Sequence, residues 1–537
     1  MVERIMWRFL ERNAKEYPDL EAYRYLGRSE TYEQVDEKSD ILAKHLIRMG
    51  VKKGDRISAY IPPVPEFLLF FMATSKLGAI LTPLDTRFKS TELAYTNDIA
   101  QPNVFIYQPF LQSTQANFEE QVKEMLPQFQ KNVKHYISLG ETKIPKAVTI
   151  QSLLKDPLHE LDGELEKRKK AAREEDPILI IFTTGTTGPP KATLLTHKSI
   201  SSMCLNEVKA TKASPEDRVL CHFTPSHVAG SCEIVSTAIV GPLTTVFLDH
   251  FNPKTTLDTV QNEKVTMWGQ IPTMFQLEFV LPNFNDYDFS SVRLCIIAGE
   301  PPTKELVQRL QKIGQGHVIT GWGLTETSGF ATWTEIDDTF DNLSNTVGKA
   351  AGDYKIKIVD IDNPKKELKT GEIGEIAVIG DCNMAGYFGN PEETKKTLLE
   401  GNMLLTGDVG YLREDGYLVL TARKKEIIRY AAYNIYPPEV EDYITKYPGI
   451  IQAAVVGVPD PIYTEVPWAI VRPNPWVEKK VTAEELIEYC KKGLADYKVP
   501  RRIIFKDNLP LTRVAKIDKK ALKAEAIEIA KKEGKIK

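Results

Sequence analysis

The stretch Pro177-Ile178-Leu179-Ile180-Ile181-Phe182-Thr183-Thr184-Gly185-Thr186-Thr187-Gly188-Pro189-Pro190-Lys191 decides how the rest of the chain is read. Its first six residues form an apolar, β-branched run of the length expected for a buried strand. The next residues form a turn rich in Thr and Gly. Gly185 and Gly188 tolerate positive φ and let backbone N–H groups come close to an anion. The hydroxyls of Thr183, Thr184, Thr186 and Thr187 add donors, and Lys191 adds a cation. Such a set suits the β and γ phosphates of a nucleotide. The pattern G-x-x-x-x-G-K-[ST] of a Walker A loop is absent. An ordinary Thr/Gly/Pro turn is the competing reading of this loop taken alone.

On both sides of this loop, short apolar runs alternate with helical patterns, which predicts an α/β fold with layered sheets. Expected strands include Arg56–Ile61, Ala79–Thr82, Thr244–Leu248, Leu294–Ile297, Tyr354–Val359 and Glu375–Ile379. The most apolar stretch, Phe67 to Leu84, contains Lys76 and Gly78 and reads as a buried helix running into a strand, not a membrane span. Residues 120–175 are charged and helix-prone, and are expected to form a surface excursion. After Arg423 the texture changes to a smaller α+β pattern with strands at Ala453–Val458 and Arg502–Phe505 and a helix at Ala483–Tyr489. The expected organisation is a large N-terminal domain of several subdomains (1–423) and then a small mobile α+β domain (424–537).

Bulk properties narrow the class. At 537 residues, more than one core is expected. A net charge of −4 argues against a nucleic-acid binder. The charge is uneven: residues 424–537 carry 22 basic against 16 acidic side chains. This is the expectation for a solvated basic surface or for a small domain that closes over an anionic ligand. Six cysteines without a C-x-x-C pair fit reduced thiols and a cytoplasmic protein. The first residues lack an apolar signal core.

Further motifs occur in order along the chain: Ala298-Gly299-Glu300-Pro301-Pro302, Gly321-Trp322-Gly323-Leu324-Thr325-Glu326, Thr406-Gly407-Asp408, Ala422-Arg423-Lys424-Lys425-Glu426 and Leu509-Pro510-Leu511-Thr512-Arg513-Val514-Ala515-Lys516. With the Thr/Gly loop, they make the chain, from about Thr31 to about Lys523, resemble the adenylate-forming superfamily. That group includes acyl- and aryl-CoA synthetases, firefly luciferase and peptide-synthetase adenylation domains. The resemblance implies an N-terminal adenylation domain and a C-terminal lid that carries Lys516. It implies that Trp322 stacks on adenine, that Thr325 meets phosphate and that Glu326 holds Mg²⁺. By the same resemblance, Gly299, Glu300 and Pro301 line the adenine pocket. Asp408 and Arg423 read the ribose, Lys425 is the pivot, and Lys516 reaches the α-phosphate and the acid. His227 matches the gate beside the acid and the thiol tunnel. Gly371–Glu375 and Gly386-Tyr387 match structural spacing elements without chemistry. These roles suit hard-cation, aromatic-base and phosphate chemistry.

Glycines common in the resembled family are replaced by Ala192, Ala422 and Ala515. Ala432, in Tyr430-Ala431-Ala432-Tyr433-Asn434, stands where CoA ligases commonly carry Gly in the loop lining the pantetheine tunnel. The implied activity is ATP-dependent ligation: an acid becomes acyl-AMP, pyrophosphate leaves, and a thiol, coenzyme A, takes the acyl group. The acyl segments supply Val228, Ala229, Gly230, Met274, Gly329 and Phe330, favouring fatty, then aromatic, then small polar acids. Glu233 and Trp333 also admit a cationic acyl group. Three alternatives stay open: transfer to a carrier protein, an aryl-CoA ligase, and a nucleotide-binding pseudoenzyme. The expected partners are the acid, ATP and CoA, with no nucleic acid and no membrane segment, in a monomer or dimer.

Overall fold

The run from Phe67 to Leu84 becomes a buried helix and strand in the computed structural model of the chain. The structure describes all residues except 1–2, 130–131, 184–189, 300–301, 337, 432, 478–480, 512–516 and 535–537, together with the side chain at 128. Helix Pro65–Leu77 starts with proline in its first turn and ends at Gly78 in the left-handed conformation, φ +66°. Strand Ile80–Leu84 comes directly after it. Phe67, Phe70 and Phe71 are wholly buried. Each contributes roughly 1.5–3 kcal/mol by leaving water. Lys76 is also wholly buried, because its ammonium donates to Asp36 (2.6 Å), Ser39 (2.7 Å) and Asp40 (2.5 Å). A paired lysine of this kind does not break a buried helix.

The described residues form two compact units, Met1–Ile356 with Val378–Leu405 and Lys357–Ala377 with Thr406–Lys537. The first is the expected layered α/β body. One sheet has a parallel centre in the order Glu21–Tyr25, Thr244–Phe247, Arg218–Cys221, Met267–Gln270, Leu294–Ile297 and His317–Leu324. Helices such as Pro253–Asn262 and Lys304–Leu310 make the crossovers that parallel pairing requires. Strand Gly329–Trp333 then returns antiparallel on His317–Leu324, with a register shift between Trp322 and Gly323.

A second sheet pairs Pro177–Thr183 antiparallel with Lys191–Thr196 and parallel with Ile80–Leu84. It continues through Arg56–Tyr60 and Val104–Tyr107 to His135–Ser138 and Val148–Thr149. These last two strands correct the reading of 120–175 as a surface excursion. Ile137 and Ser138 are wholly buried at the sheet, and a strand of four residues is too short to show a period among charged helices.

The second unit is α+β. Strands Ile450–Asp460 and Thr464–Pro473 form a long antiparallel pair, joined by Ile428–Tyr430, Tyr433–Ile435 and Arg502–Phe505. Helices Pro437–Thr445, Ala483–Gly493 and Lys519–Lys532 contribute Val440, Leu486 and Leu522 to a core that includes Val455 and Trp468. No helix among the described residues is long and apolar enough to cross a membrane.

Candidate active site

The motif Gly321 to Glu326 sits where two strands approach each other too closely for side chains. A Cβ at Gly321 would lie 2.6 Å from the Phe330 ring, and one at Gly323 would lie 1.9 Å from the Gly329 carbonyl oxygen. Both glycines are therefore steric requirements of this hairpin. Trp322, between them, keeps 7% of its surface accessible. The hairpin reverses through the short helical turn Thr325–Thr327. Thr327 fixes that turn: the Leu324 amide donates to its hydroxyl at 2.8 Å, and the hydroxyl donates to the Gly329 carbonyl at 2.7 Å. Ser328 completes it in the left-handed region, φ +59°. Thr325 and Glu326 are thus held on a rigid turn, each half-buried.

Glu326 is tied to the phosphate-loop strands. The Tyr387 hydroxyl donates to Glu326 Oε1 at 2.8 Å. Burial and the Glu326 charge both push the Tyr387 phenol well above its ordinary pKa, so it stays a donor. Lys191 Nζ lies 4.7 Å from the centre of the same tyrosine ring and pairs with Glu393. Thr183 and Lys191 face each other across the antiparallel pair, at the base of the Thr/Gly loop. A cation suited to phosphate and a carboxylate suited to Mg²⁺ therefore flank one aromatic ring. Tyr387 thus has a partner in the Thr325–Glu326 motif that a purely structural reading of Gly386-Tyr387 did not foresee. It and Glu393 are missed by sequence reasoning, because neither belongs to a motif with a chemical signature.

A Mg²⁺ ion fits this donor set. Tyr387 occupies only one Glu326 oxygen, and a hard oxygen donor of this kind joins a metal carried mainly by phosphates. Among the described residues no cluster of three or more His, Cys, Asp or Glu side chains is placed to hold a metal without such a substrate. Gly299, just past the strand Leu294–Ile297, has φ +82°, and a Cβ there would sit 3.0 Å from Ile271. His227 is exposed, and its Nδ1 accepts from the Ala229 amide at 3.1 Å, so any ring proton is on Nε2. At Gly230 a Cβ would lie 2.5 Å from the carbonyl oxygens of Phe223 and Thr224, so only glycine fits there.

In the second unit, Asp408 and Arg423 are opposite each other in register across strands Met403–Leu412 and Leu418–Arg423. The Arg423 Nε donates to Asp408 Oδ1 at 2.6 Å, with Asp408 buried and Arg423 about half exposed. Lys424 pairs with the buried Glu375 at 2.6 Å, and Lys425 lies on the short helical turn Lys424–Glu426. Glu426 in turn accepts from Lys519 at 3.0 Å, as does Glu441. Leu511 and Ile517 pair as an isolated bridge. Thr184, Gly185, Thr186, Thr187, Gly188, Glu300, Pro301, Ala432 and Lys516 lie outside the described residues.

Comparison with known proteins identifies the family. Residues 10–388 match the family model of the AMP-binding enzymes, and residues 439–516 match the model of the AMP-binding enzyme C-terminal domain. The chain is 29% identical to the mitochondrial medium-chain acyl-CoA ligase ACSF2 of Mus musculus, over 96% of this chain and 86% of that one. It is 30% identical to a feruloyl-CoA synthase of an Amycolatopsis species, over 94% and 96%. The solved structure of ATP-bound MatB from Rhodopseudomonas palustris shares its fold, with a TM-score of 0.85 and 23% identity over 98% of this chain and 100% of that one. The chain belongs to the AMP-binding enzyme family of adenylate-forming, acyl-CoA ligase-like proteins.

Proposed function

We propose that the chain is an AMP-forming acid–thiol ligase that makes acyl-CoA from a carboxylic acid, ATP and coenzyme A. The observation that carries this reading is Tyr387, which joins the phosphate-loop cation Lys191 to the carboxylate Glu326. The acid's carboxylate oxygen attacks the α-phosphorus of ATP, the bond from that phosphorus to the bridging oxygen breaks, and pyrophosphate leaves. Lys191 stabilises charge on the phosphates, and Lys516 does the same at the α-phosphorus. Magnesium held by Glu326 would supply further charge neutralisation on the leaving pyrophosphate. Thr325 binds phosphate, Trp322 and Gly299 take the adenine, and Asp408 and Arg423 take the ribose. The thiol of coenzyme A then attacks the acyl carbonyl and releases AMP, with Lys425 as the pivot between the two half-reactions and His227 as the gate.

Val228, Ala229 and Phe330 are buried and apolar, which favours an acid with an apolar body, fatty or aromatic. The six cysteines are free and buried, in keeping with a reducing, cytoplasmic setting. The test is pyrophosphate exchange into ATP and thioester formation with a panel of acids. Both reactions are expected, the second only with coenzyme A. Lys516→Ala is expected to lower acyl-AMP formation about a hundredfold or more while sparing thioester formation from preformed acyl-AMP. Equal loss of both half-reactions would remove Lys516 from its role.

A further inference from the structure

Two residues after His227 the backbone widens into a π-type helix, Ala229–Ser236. Its wide turns are stabilised by side chains five residues apart: the Ser236 hydroxyl donates to the Ser231 carbonyl at 2.7 Å, and the Thr237 hydroxyl approaches the Cys232 carbonyl at 3.4 Å. Such turns re-aim a side chain, and they recur at functional sites. Here the residue carried inward is Glu233. Protein surrounds it on all sides, yet it keeps accessible surface. That combination marks a side chain facing a hollow within the unit, not one packed in a core.

Two contacts locate the hollow. A Cβ at Gly329 would lie 2.9 Å from Glu233 Cγ, 3.1 Å from its Oε1 and 3.1 Å from Met203 Cε. Gly329 thus leaves room for the carboxyl, and it stands three residues after Glu326. Three residues of chain span at most ~10 Å. The carboxyl is therefore within the reach of a short or medium acyl group whose carboxylate reacts at the Thr325–Glu326 turn.

Among the described residues no donor reaches the Glu233 carboxyl. Its neighbour Glu207 is also buried but has one, the Thr237 hydroxyl at 2.9 Å. Leaving a carboxyl without a partner inside a protein is costly, and none of the described residues uses Glu233 as a hydrogen-bond partner. Burial raises its pKa to about 8, so it stands largely as a neutral acid that both gives and accepts a hydrogen bond.

Resting on the acid-activating reading of the site, we propose that Glu233 is a specificity-determining residue that recognises a hydrogen-bond donor on the acyl group. The enzyme then prefers acids carrying an amino or hydroxyl group away from the reacting carboxylate over their unsubstituted counterparts. The apolar walls hold the body of the acid, and Glu233 reads its far end. A site built around a polar partner discriminates strongly against an analogue that leaves that partner unpaired.

The test compares kcat/KM in thioester formation for hexanoate with its ω-hydroxy and ω-amino counterparts, and for benzoate with its para-hydroxy and para-amino counterparts. The expected result is that a substituted acid exceeds its plain partner by about tenfold or more in at least one series. Glu233→Met is expected to raise turnover of the plain acid and bring the ratio to about one or below, whereas Glu233→Gln keeps a preference for the hydroxy acid. A structural role would instead shift all acids equally. Plain acids outpacing their substituted partners throughout the wild-type panel would overturn the proposal without recourse to any variant, and so would an unchanged ratio in Glu233→Met. If no acid drove pyrophosphate exchange, the ligase reading would fall and this one with it; exchange at one rate for all acids would remove only the role of Glu233.

Discussion

Glu326 and Glu233 are the same chemical group placed against the same hairpin, and their surroundings give them opposite characters. Glu326 sits half-buried on a turn and accepts a hydrogen bond from Tyr387. Glu233 is packed against Gly329, three residues further on, without a donor among the described residues and with its pKa raised to about 8 by burial. The first keeps one oxygen for a cation, and the second, held neutral by burial, is left for a polar group. Identity of side chain decides less here than which neighbours reach it.

The hardest blow to this contrast is Glu326→Gln. It removes charge while keeping shape, and acyl-AMP formation is expected to fall about a hundredfold or more, read as pyrophosphate exchange. Near-normal exchange would mean that Glu326 is not the charged partner. Tyr387→Phe is gentler. It leaves the carboxylate but frees its orientation, and a loss of about tenfold is expected, accompanied by a higher Mg²⁺ requirement. A rate loss that excess Mg²⁺ does not reduce would show that the tyrosine acts elsewhere.

A third variant extends the neutral side of the comparison. Glu278 is wholly buried, with Gln270 Nε2 donating to one oxygen at 2.7 Å, and burial lifts its pKa to about 9. A carboxyl whose folded pKa is raised adds stability that is complete below the unfolded value and is lost as pH climbs through the folded one. Between about pH 5 and pH 8 each such group removes about 1.4 kcal/mol per pH unit. Glu278→Gln is therefore expected to gain on the wild type as pH rises from about 6 to about 8, measured by thermal midpoints at both values. A constant difference would mean that Glu278 is already ionised at the lower pH. The smallest effect expected is that of Ala432→Gly, which removes one methyl. Thioester formation should not decrease, and a large drop would assign packing to that methyl.

Much of this was legible in the chain. The alternating apolar runs predicted strands 56–61, 177–182, 294–297 and 453–458, and the structure has strands at Arg56–Tyr60, Pro177–Thr183, Leu294–Ile297 and Ile450–Asp460. The family resemblance marked Gly321 to Glu326 as a motif, and the close approach of the strands explains why both of its glycines are needed. The strands His135–Ser138 and Val148–Thr149, at the end of their sheet, were not legible, because neither forms an apolar run and both gain their stability from the sheet they join.

The sequence by itself determined what depends on near neighbours: which apolar runs become strands and which residue types stand together in each motif. Only the tertiary structure decided the partners. Tyr387 meets Glu326 across 61 residues, and Glu393 meets Lys191 across 202. Glu233 faces the space left by Gly329. Local periodicity has no term for such pairs, since they exist only after the strands have taken their register and each side chain has found what lies opposite.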